Sequence, residues 1–205
     1  MPKTVYVVGH YPDYITMFRD NGWSVLDNPE EAEYLQFCGG EDVSPSLYGE
    51  LPHPSTSWNK VRDEKEVELF SKFRLKKKLG ICRGAQFCCV MSGGKLWQHV
   101  TSHGVKGTHG VLDTVTRKVY QCSSTHHQMM RTAGIDVNVA NVAVAPFSCI
   151  AYDGANNEVK LAWGEEVNFF PATRSLCFQP HPEFFKKDHE CQTYYFSLVS
   201  SYLGG

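Results

Sequence analysis

The run from Leu79 to Val90, Leu-Gly-Ile-Cys-Arg-Gly-Ala-Gln-Phe-Cys-Cys-Val, constrains this chain more than any other stretch. It joins a strand-like run to a helix-like run through Gly80-Ile81-Cys82-Arg83-Gly84, the pattern of a nucleophile elbow with cysteine at its apex. An elbow of this kind holds its central residue in a tight, strained turn. Small residues two before and two after are then needed to avoid backbone clashes, and Gly80 and Gly84 meet that need. The turn lifts the Cys82 thiol above the end of a strand and aims the N–H groups and positive dipole end of the next helix at the same spot. Such surroundings favour the reactive thiolate. Ordinary strand-to-helix packing also produces this short pattern, so the rest of the chain has to decide.

The 205 residues suit one large α/β domain, residues 1–205, with a substantial core. A net charge of -2 with 20% charged residues offers no basic excess for phosphates and no acidic tail, so neither nucleic acid nor a membrane surface is expected as a partner. The apolar run near the N-terminus is too short for the core of a signal peptide, and no stretch is apolar enough to span a bilayer. A cytoplasmic location follows as the expectation. The cysteines at 38, 82, 88, 89, 122, 149, 177 and 191 lie mostly in apolar runs and form no Cys-x-x-Cys pair, so they read as buried thiols rather than disulfides or a structural zinc site.

Along the chain, Thr4 to Gly9 reads as a buried strand, Tyr11 to Asn21 as a helix closed by Gly22, and Trp23 to Leu26 as a second strand. Glu30 to Tyr34 is expected to be helical, and Tyr34 to Cys38 a third strand ending in Gly39-Gly40. This alternation argues for a parallel sheet covered on both faces. Gly39-Gly40 lies just past a strand's carboxyl end, where it is either a simple turn or a source of bare N–H groups beside a ligand. With an elbow present, a second loop must supply an oxyanion donor to join the N–H of Arg83, the residue after the nucleophile.

Glu41 to Asn59 reads as a long loop able to roof a pocket, and Val61 to Leu75 as an amphipathic helix whose Lys76-Lys77-Lys78 end is a solvated cap. Leu79 to Cys82 and Ala85 to Met91 are the strand and helix of the elbow. Lys95 to Val100 is expected to be a strand. His99, His103 and His109 follow without an acidic neighbour at metal-site spacing, so hydrogen-bonding or surface roles are expected, and no metal. Val111 to Cys122 is strand-like. Ser123 to Gln128 is a polar loop, either a turn or a recognition segment. Val137 to Phe147, Cys149 to Tyr152, Glu158 to Trp163 and Ser175 to Gln179 read as strands, and Asp188 to Leu203 as a final helix with Asp188 as N-cap.

A cysteine nucleophile needs a histidine to manage its proton and a third group to orient that histidine. His181-Pro182-Glu183 offers both, because Pro182 keeps His181 extended and residues two apart in an extended chain project to one side. A surface turn is the bland alternative.

Gly80-Ile81-Cys82-Arg83-Gly84-Ala85-Gln86 together with Gln179-Pro180-His181-Pro182-Glu183 resembles the class I glutamine amidotransferase superfamily, and more narrowly its γ-glutamyl hydrolase branch. The run from Gly39 to Gly49, Arg62-Asp63, Gly93-Gly94, Ser124 to Gln128 and Asp153-Gly154 match that branch in order. Cys38, Ser123 and Cys89 depart from its usual proline and asparagines. The resemblance implies an α/β fold, a flavodoxin-like three-layer sandwich with a central mostly parallel sheet. It further implies that Cys82 attacks a γ-glutamyl amide, that His181 protonates the leaving amine and that Glu183 orients His181. Gly40 and Arg83 would supply oxyanion N–H groups, and Gly39, Gln86, Ser124, His126, His127 and Gln128 would line the substrate site. It implies a small-molecule γ-glutamyl substrate and no cofactor. Two other readings stand beside this one: a glutaminase subunit passing ammonia to a separate synthetase, and a non-catalytic binding homologue.

Overall fold

Short apolar runs buried on both faces form the centre of the molecule, which is why Val5, Leu35, Phe37, Leu79, Ile81, Leu176 and Phe178 have no solvent exposure. The computed structural model describes residues 2–204, with the side chains of residues 105 and 106 excepted. In chain order the elements are β1 (Thr4–Val7), α1 (Pro12–Asp20), β2 (Ser24–Val25), β3 (Tyr34–Phe37), α2 (Lys60–Lys72), β4 (Lys77–Ile81), α3 (Arg83–Met91), β5 (Lys95–Trp97) and β6 (His99–Val100). There follow β7 (Gly104–Asp113), β8 (Val119–Thr125), β9 (Met129–Arg131), β10 (Ala140–Ala145), β11 (Cys149–Tyr152), β12 (Glu158–Leu161), β13 (Gly164–Phe170), β14 (Ser175–Phe178) and α4 (Glu190–Leu203).

Among the described residues, nine strands form one sheet in the order β2-β1-β3-β4-β14-β13-β10-β7-β8. The first five run parallel, and β13, β10, β7 and β8 extend the sheet antiparallel. Alternation along the strands sorts the core into two layers. Leu79, Ile81 and Phe178 pack with Phe18 of α1 and Tyr195 of α4 on one face, while Leu35, Phe37 and Cys177 pack with Phe70 of α2 and Phe87 of α3 on the other. This is the flavodoxin-like three-layer sandwich. Two small sheets, β12-β11-β6 and β5-β9, lie outside it. All eight cysteines are unpaired and buried, and among the described residues no helix is long and apolar enough to cross a membrane.

Several expectations need correction. Residues 29–31 form a turn and 32–33 are irregular, so there is no helix between β2 and β3. Lys77 and Lys78 are not a solvated cap. They open β4, where Lys78 is fully buried and its Nζ donates to the carbonyls of Arg74, Lys76 and Thr173. Burial pulls the Lys78 pKa down to about 8. Lys95 to Val100 splits into two strands belonging to different sheets, and Val111 to Cys122 is interrupted by a turn between β7 and β8. Ser123 to Thr125 continue β8 rather than forming a loop. The strand β13 escapes a reading of periodicity because Gly164-Glu165-Glu166 places charged residues where an apolar run is expected. The cap of α4 is His189, whose Nδ1 accepts from the Cys191 N–H at 3.2 Å, not Asp188.

Candidate active site

The elbow forms because β4 must turn into α3 within one residue. Cys82 takes φ 51° and ψ −112°, a left-handed conformation that a side-chain-bearing residue adopts only under constraint. The constraint is packing. A Cβ on Gly84 would lie 2.1 Å from the Phe37 carbonyl oxygen, and one on Gly80 would lie 2.4 Å from the Gly84 oxygen. Cys82 donates its N–H to Phe178 O, and the first N–H that the helix itself satisfies is that of Gln86, on the Cys82 carbonyl. The N–H groups of Arg83 to Ala85 are therefore the open first turn of α3, gathered around the sulfur.

His181 follows β14, the strand beside β4, so the parallel pairing itself brings it to the elbow. Its Nδ1 lies 2.5 Å from Glu183 Oε1, its N–H donates to Ser123 Oγ at 2.6 Å, and its ring stacks on Phe184 at 4.3 Å. Gln192 of α4 donates to the carbonyls of Pro182 and Phe185 and holds the turn in place. Burial works to lower the His181 pKa, but the Cys82 sulfur and the Glu183 carboxylate outweigh it and push the value up to about 10. An imidazolium then faces the sulfur across neutral pH.

Arg62 shapes the loop after β3. Its guanidinium donates to the carbonyls of Cys38 and Gly39 at 2.8 and 2.9 Å and pairs with Glu41 and Glu66. In a trans peptide the N–H points opposite the C=O, so tying down the Gly39 carbonyl turns the Gly40 N–H away from Arg62, and Gly40 lines the cavity that holds Cys82. The Gly39 N–H is already given to Tyr14 Oη at 2.9 Å, and Gly39 packs against the His181 ring. The Arg83 side chain is not a substrate group. It is buried and paired with Asp63 and Glu66 of α2, which anchors the elbow and leaves only its backbone facing the site.

The cavity is about 350 Å³, lined by Gly40, Cys82, Arg83, Gln86, His126, His127 and Gln128 together with Glu41, Asp42, Ser55 and Ser57 from the long loop, which does roof it. That loop is pinned by Gln98, whose side chain binds His53, Thr56 and Leu51. Gln86 Nε2 donates to Gln128 O and to Gln179 Oε1. His127 Nε2 lies 3.0 Å from Asp42 Oδ1, and that hydrogen bond raises its pKa. The structure thus brings Cys82, His181, Glu183, Gly40, Arg83, Gln86, His126, His127 and Gln128 together. It leaves Ser124 off the wall, fully buried with its hydroxyl on His103 O. Of residues 99, 103 and 109, read as hydrogen-bonding or surface histidines, His103 is fully buried and His109 partly buried, both beside Glu166, and His109 Nδ1 lies 3.1 Å from Gly110 O.

Sequence reasoning gave no role to Tyr14, Glu66, Ser123 or Gln192. Arg62-Asp63 is visible as a motif; Glu66, one helical turn further on, carries the same buried face.

The α/β sandwich thus carries a cysteine elbow, a histidine–glutamate pair and a roofed polar cavity. The Peptidase C26 profile matches residues 25–152, and the chain belongs to that family, which is class I glutamine amidotransferase-like. A Schizosaccharomyces pombe protein provisionally named a glutamine amidotransferase is 41% identical over 86 residues, covering 40% of this chain and 34% of the relative. The chain spans about a third of the length of the first curated relatives it matches. A Thermoplasma acidophilum protein provisionally named as part of a GMP synthase superposes over 100% of this chain and 97% of its own, with TM-score 0.64 and 15% identity. A Thermotoga maritima glutamine amidotransferase superposes over 98% of this chain and 82% of its own, with TM-score 0.60 and 13% identity. Both structural likenesses are of fold.

Proposed function

We propose that this chain hydrolyses γ-glutamyl amide bonds through Cys82, His181 and Glu183. The observation that carries the reading is the His181–Glu183 pair set against the Cys82 sulfur at an elbow that opens into a polar cavity. Cys82 Sγ attacks the side-chain carbonyl carbon of the substrate. The resulting oxyanion accepts from the N–H groups of Gly40 and Arg83. The C–N bond breaks as His181 gives its proton to the departing amine, leaving a γ-glutamyl thioester. Water then attacks the thioester carbon and loses a proton to His181, and the C–S bond breaks to release glutamate and restore the thiolate–imidazolium pair. Glu183 keeps the imidazole oriented throughout. Gln86, His127 and Gln128 contact the glutamyl part, and the carboxylates of Glu41 and Asp42 offer partners for its ammonium group. We read residues 1–205 as one domain of this class. Eight unpaired buried cysteines suit a reducing cytoplasm.

The test is glutamate release by the purified protein from glutamine and from a panel of γ-glutamyl amines, with Cys82→Ala as control. Cys82-dependent turnover of one amine by the protein alone supports the free hydrolase; near-native turnover by folded Cys82→Ala overturns the mechanism. A second reading, delivery of ammonia to a separate synthetase, draws on the fold neighbour whose name places it in a GMP synthase. It requires that glutamine hydrolysis be slow alone and rise on adding the partner.

A further inference from the structure

The antiparallel half of the sheet holds a second cluster of chemically capable groups. His103 lies just before β7, His109 within it, His126 just after β8, and Glu166 on β13. One ligand atom from each lies within 4.8 Å of all the others. Glu166 Oε1 is 3.2 Å from His103 Nδ1, 3.3 Å from His109 Nε2 and 3.5 Å from His126 Nε2. The edge of a tetrahedron around a zinc ion with ordinary nitrogen and oxygen bond lengths is about 3.3 Å.

None of these approaches has hydrogen-bond geometry. Both Glu166 oxygens, both His103 ring nitrogens, His109 Nε2 and His126 Nε2 are buried without a hydrogen-bond partner. The far sides of two rings are engaged, and this decides what faces inward. His126 Nδ1 lies 2.8 Å from Gln128 O and His109 Nδ1 lies 3.1 Å from Gly110 O. A carbonyl only accepts, so each Nδ1 carries the hydrogen, and the Nε2 of the neutral ring turns its lone pair toward the carboxylate. Lone pairs and a carboxylate oxygen gathered in a dry interior repel one another unless a cation stands between them. The Phe147 ring stacks on His103 at 5.0 Å and meets His109 edge-on at 5.4 Å, shielding the cluster from water.

We propose that His103, His109, His126 and Glu166 form a binding site for a divalent transition metal ion, with zinc the best fit to three imidazoles and one carboxylate. Its role is structural, because the four protein ligands fill a tetrahedral shell and leave no position for substrate. It clamps β7, the end of β8 and β13 together directly behind the catalytic cavity. His126 forms part of the cavity wall, and the Gln128 carbonyl that orients His126 also receives the Gln86 amide. The competing occupant is protons, which would turn the imidazoles into donors to Glu166.

Metal content of the purified full chain separates the two. The expected result is about one equivalent of zinc per chain, a fall in melting temperature on chelation, and recovery on adding zinc. Cobalt loaded into the stripped protein should show tetrahedral ligand-field absorption without thiolate charge transfer, since no cysteine belongs to the set. Glu166→Gln and His109→Ala should each lower zinc content at least tenfold, whereas Cys82→Ala and His127→Ala should retain it. Because a variant can fail by misfolding, the wild-type arm stands by itself. Stripped wild-type protein that takes up neither zinc nor cobalt, or that loses its metal in Cys82→Ala but keeps it in Glu166→Gln, overturns the proposal.

Discussion

Two buried charge clusters, one in each half of the sheet, answer the same physical problem differently. Beneath the elbow, Arg62 and Arg83 meet Asp63 and Glu66, and each of the four carboxylate oxygens receives a donor: Asp63 from Arg83 and the Ser44 N–H, Glu66 from Arg62 and Arg83. In the antiparallel half, neither Glu166 oxygen has a donor in hydrogen-bond geometry, although three histidines surround it. In the first cluster protein donors satisfy every carboxylate oxygen, although Arg83 Nε is left without a partner, and the cluster works as scaffold. The second is complete only with a cation.

The largest effect expected is on chemistry at the edge of the first cluster. Cys82→Ala should lower glutamate release by on the order of 10⁴-fold while leaving the melting temperature in place, because groups that act as a unit fail together. Next comes the scaffold. Arg83→Met strands Asp63 and Glu66 without their shared cation and should destabilise by about 3–5 kcal/mol in urea unfolding, a loss that would vanish if the network were solvent-screened. Smaller again is Gly84→Ala, which must move the Phe37 backbone and should destabilise by about 1–3 kcal/mol, with activity falling as the elbow shifts.

The histidines sharpen the comparison through pH. The folded His181 pKa lies above its unfolded value of 6.5, so the stability it contributes is fully present below about 6.5 and is lost as pH rises through about 10. Denaturation curves over that window should converge for wild type and His181→Gln. The alkaline limb of activity should also sit near 10 and move to lower pH in Glu183→Gln. The smallest effect belongs to the second cluster. In chelator-treated protein, Glu166→Gln breaks no hydrogen bond and should change unfolding free energy by no more than about 1 kcal/mol, far less than Arg83→Met.

These clusters also explain what could be read from the chain alone. Cys82 and its glycines lie within five residues, and His181 and Glu183 within three, so local geometry made each half of the site legible. Strands such as Thr4–Val7 and Cys149–Tyr152 were visible because apolar runs announce them. Lys77 and Lys78 misled because a run of lysines reads as solvated surface, whereas main-chain carbonyls brought near by the fold absorb the Lys78 ammonium. Asp188 misled because it is a good capping residue one position too early.

By itself, the sequence determined the elbow, the His-Pro-Glu turn, the alternation that builds a layered α/β sandwich and the family those motifs resemble, since each is a short-range pattern of size, polarity and backbone freedom. Tertiary structure alone decided that β14 sets His181 beside Cys82, that Arg62 ties down the Gly39 carbonyl next to the cavity, and that Glu166 meets histidines 63, 57 and 40 positions away in the chain. Charge and hydrogen bonding act over a few ångströms of space, and no spacing along the chain records which distant strands a sheet will bring within that range.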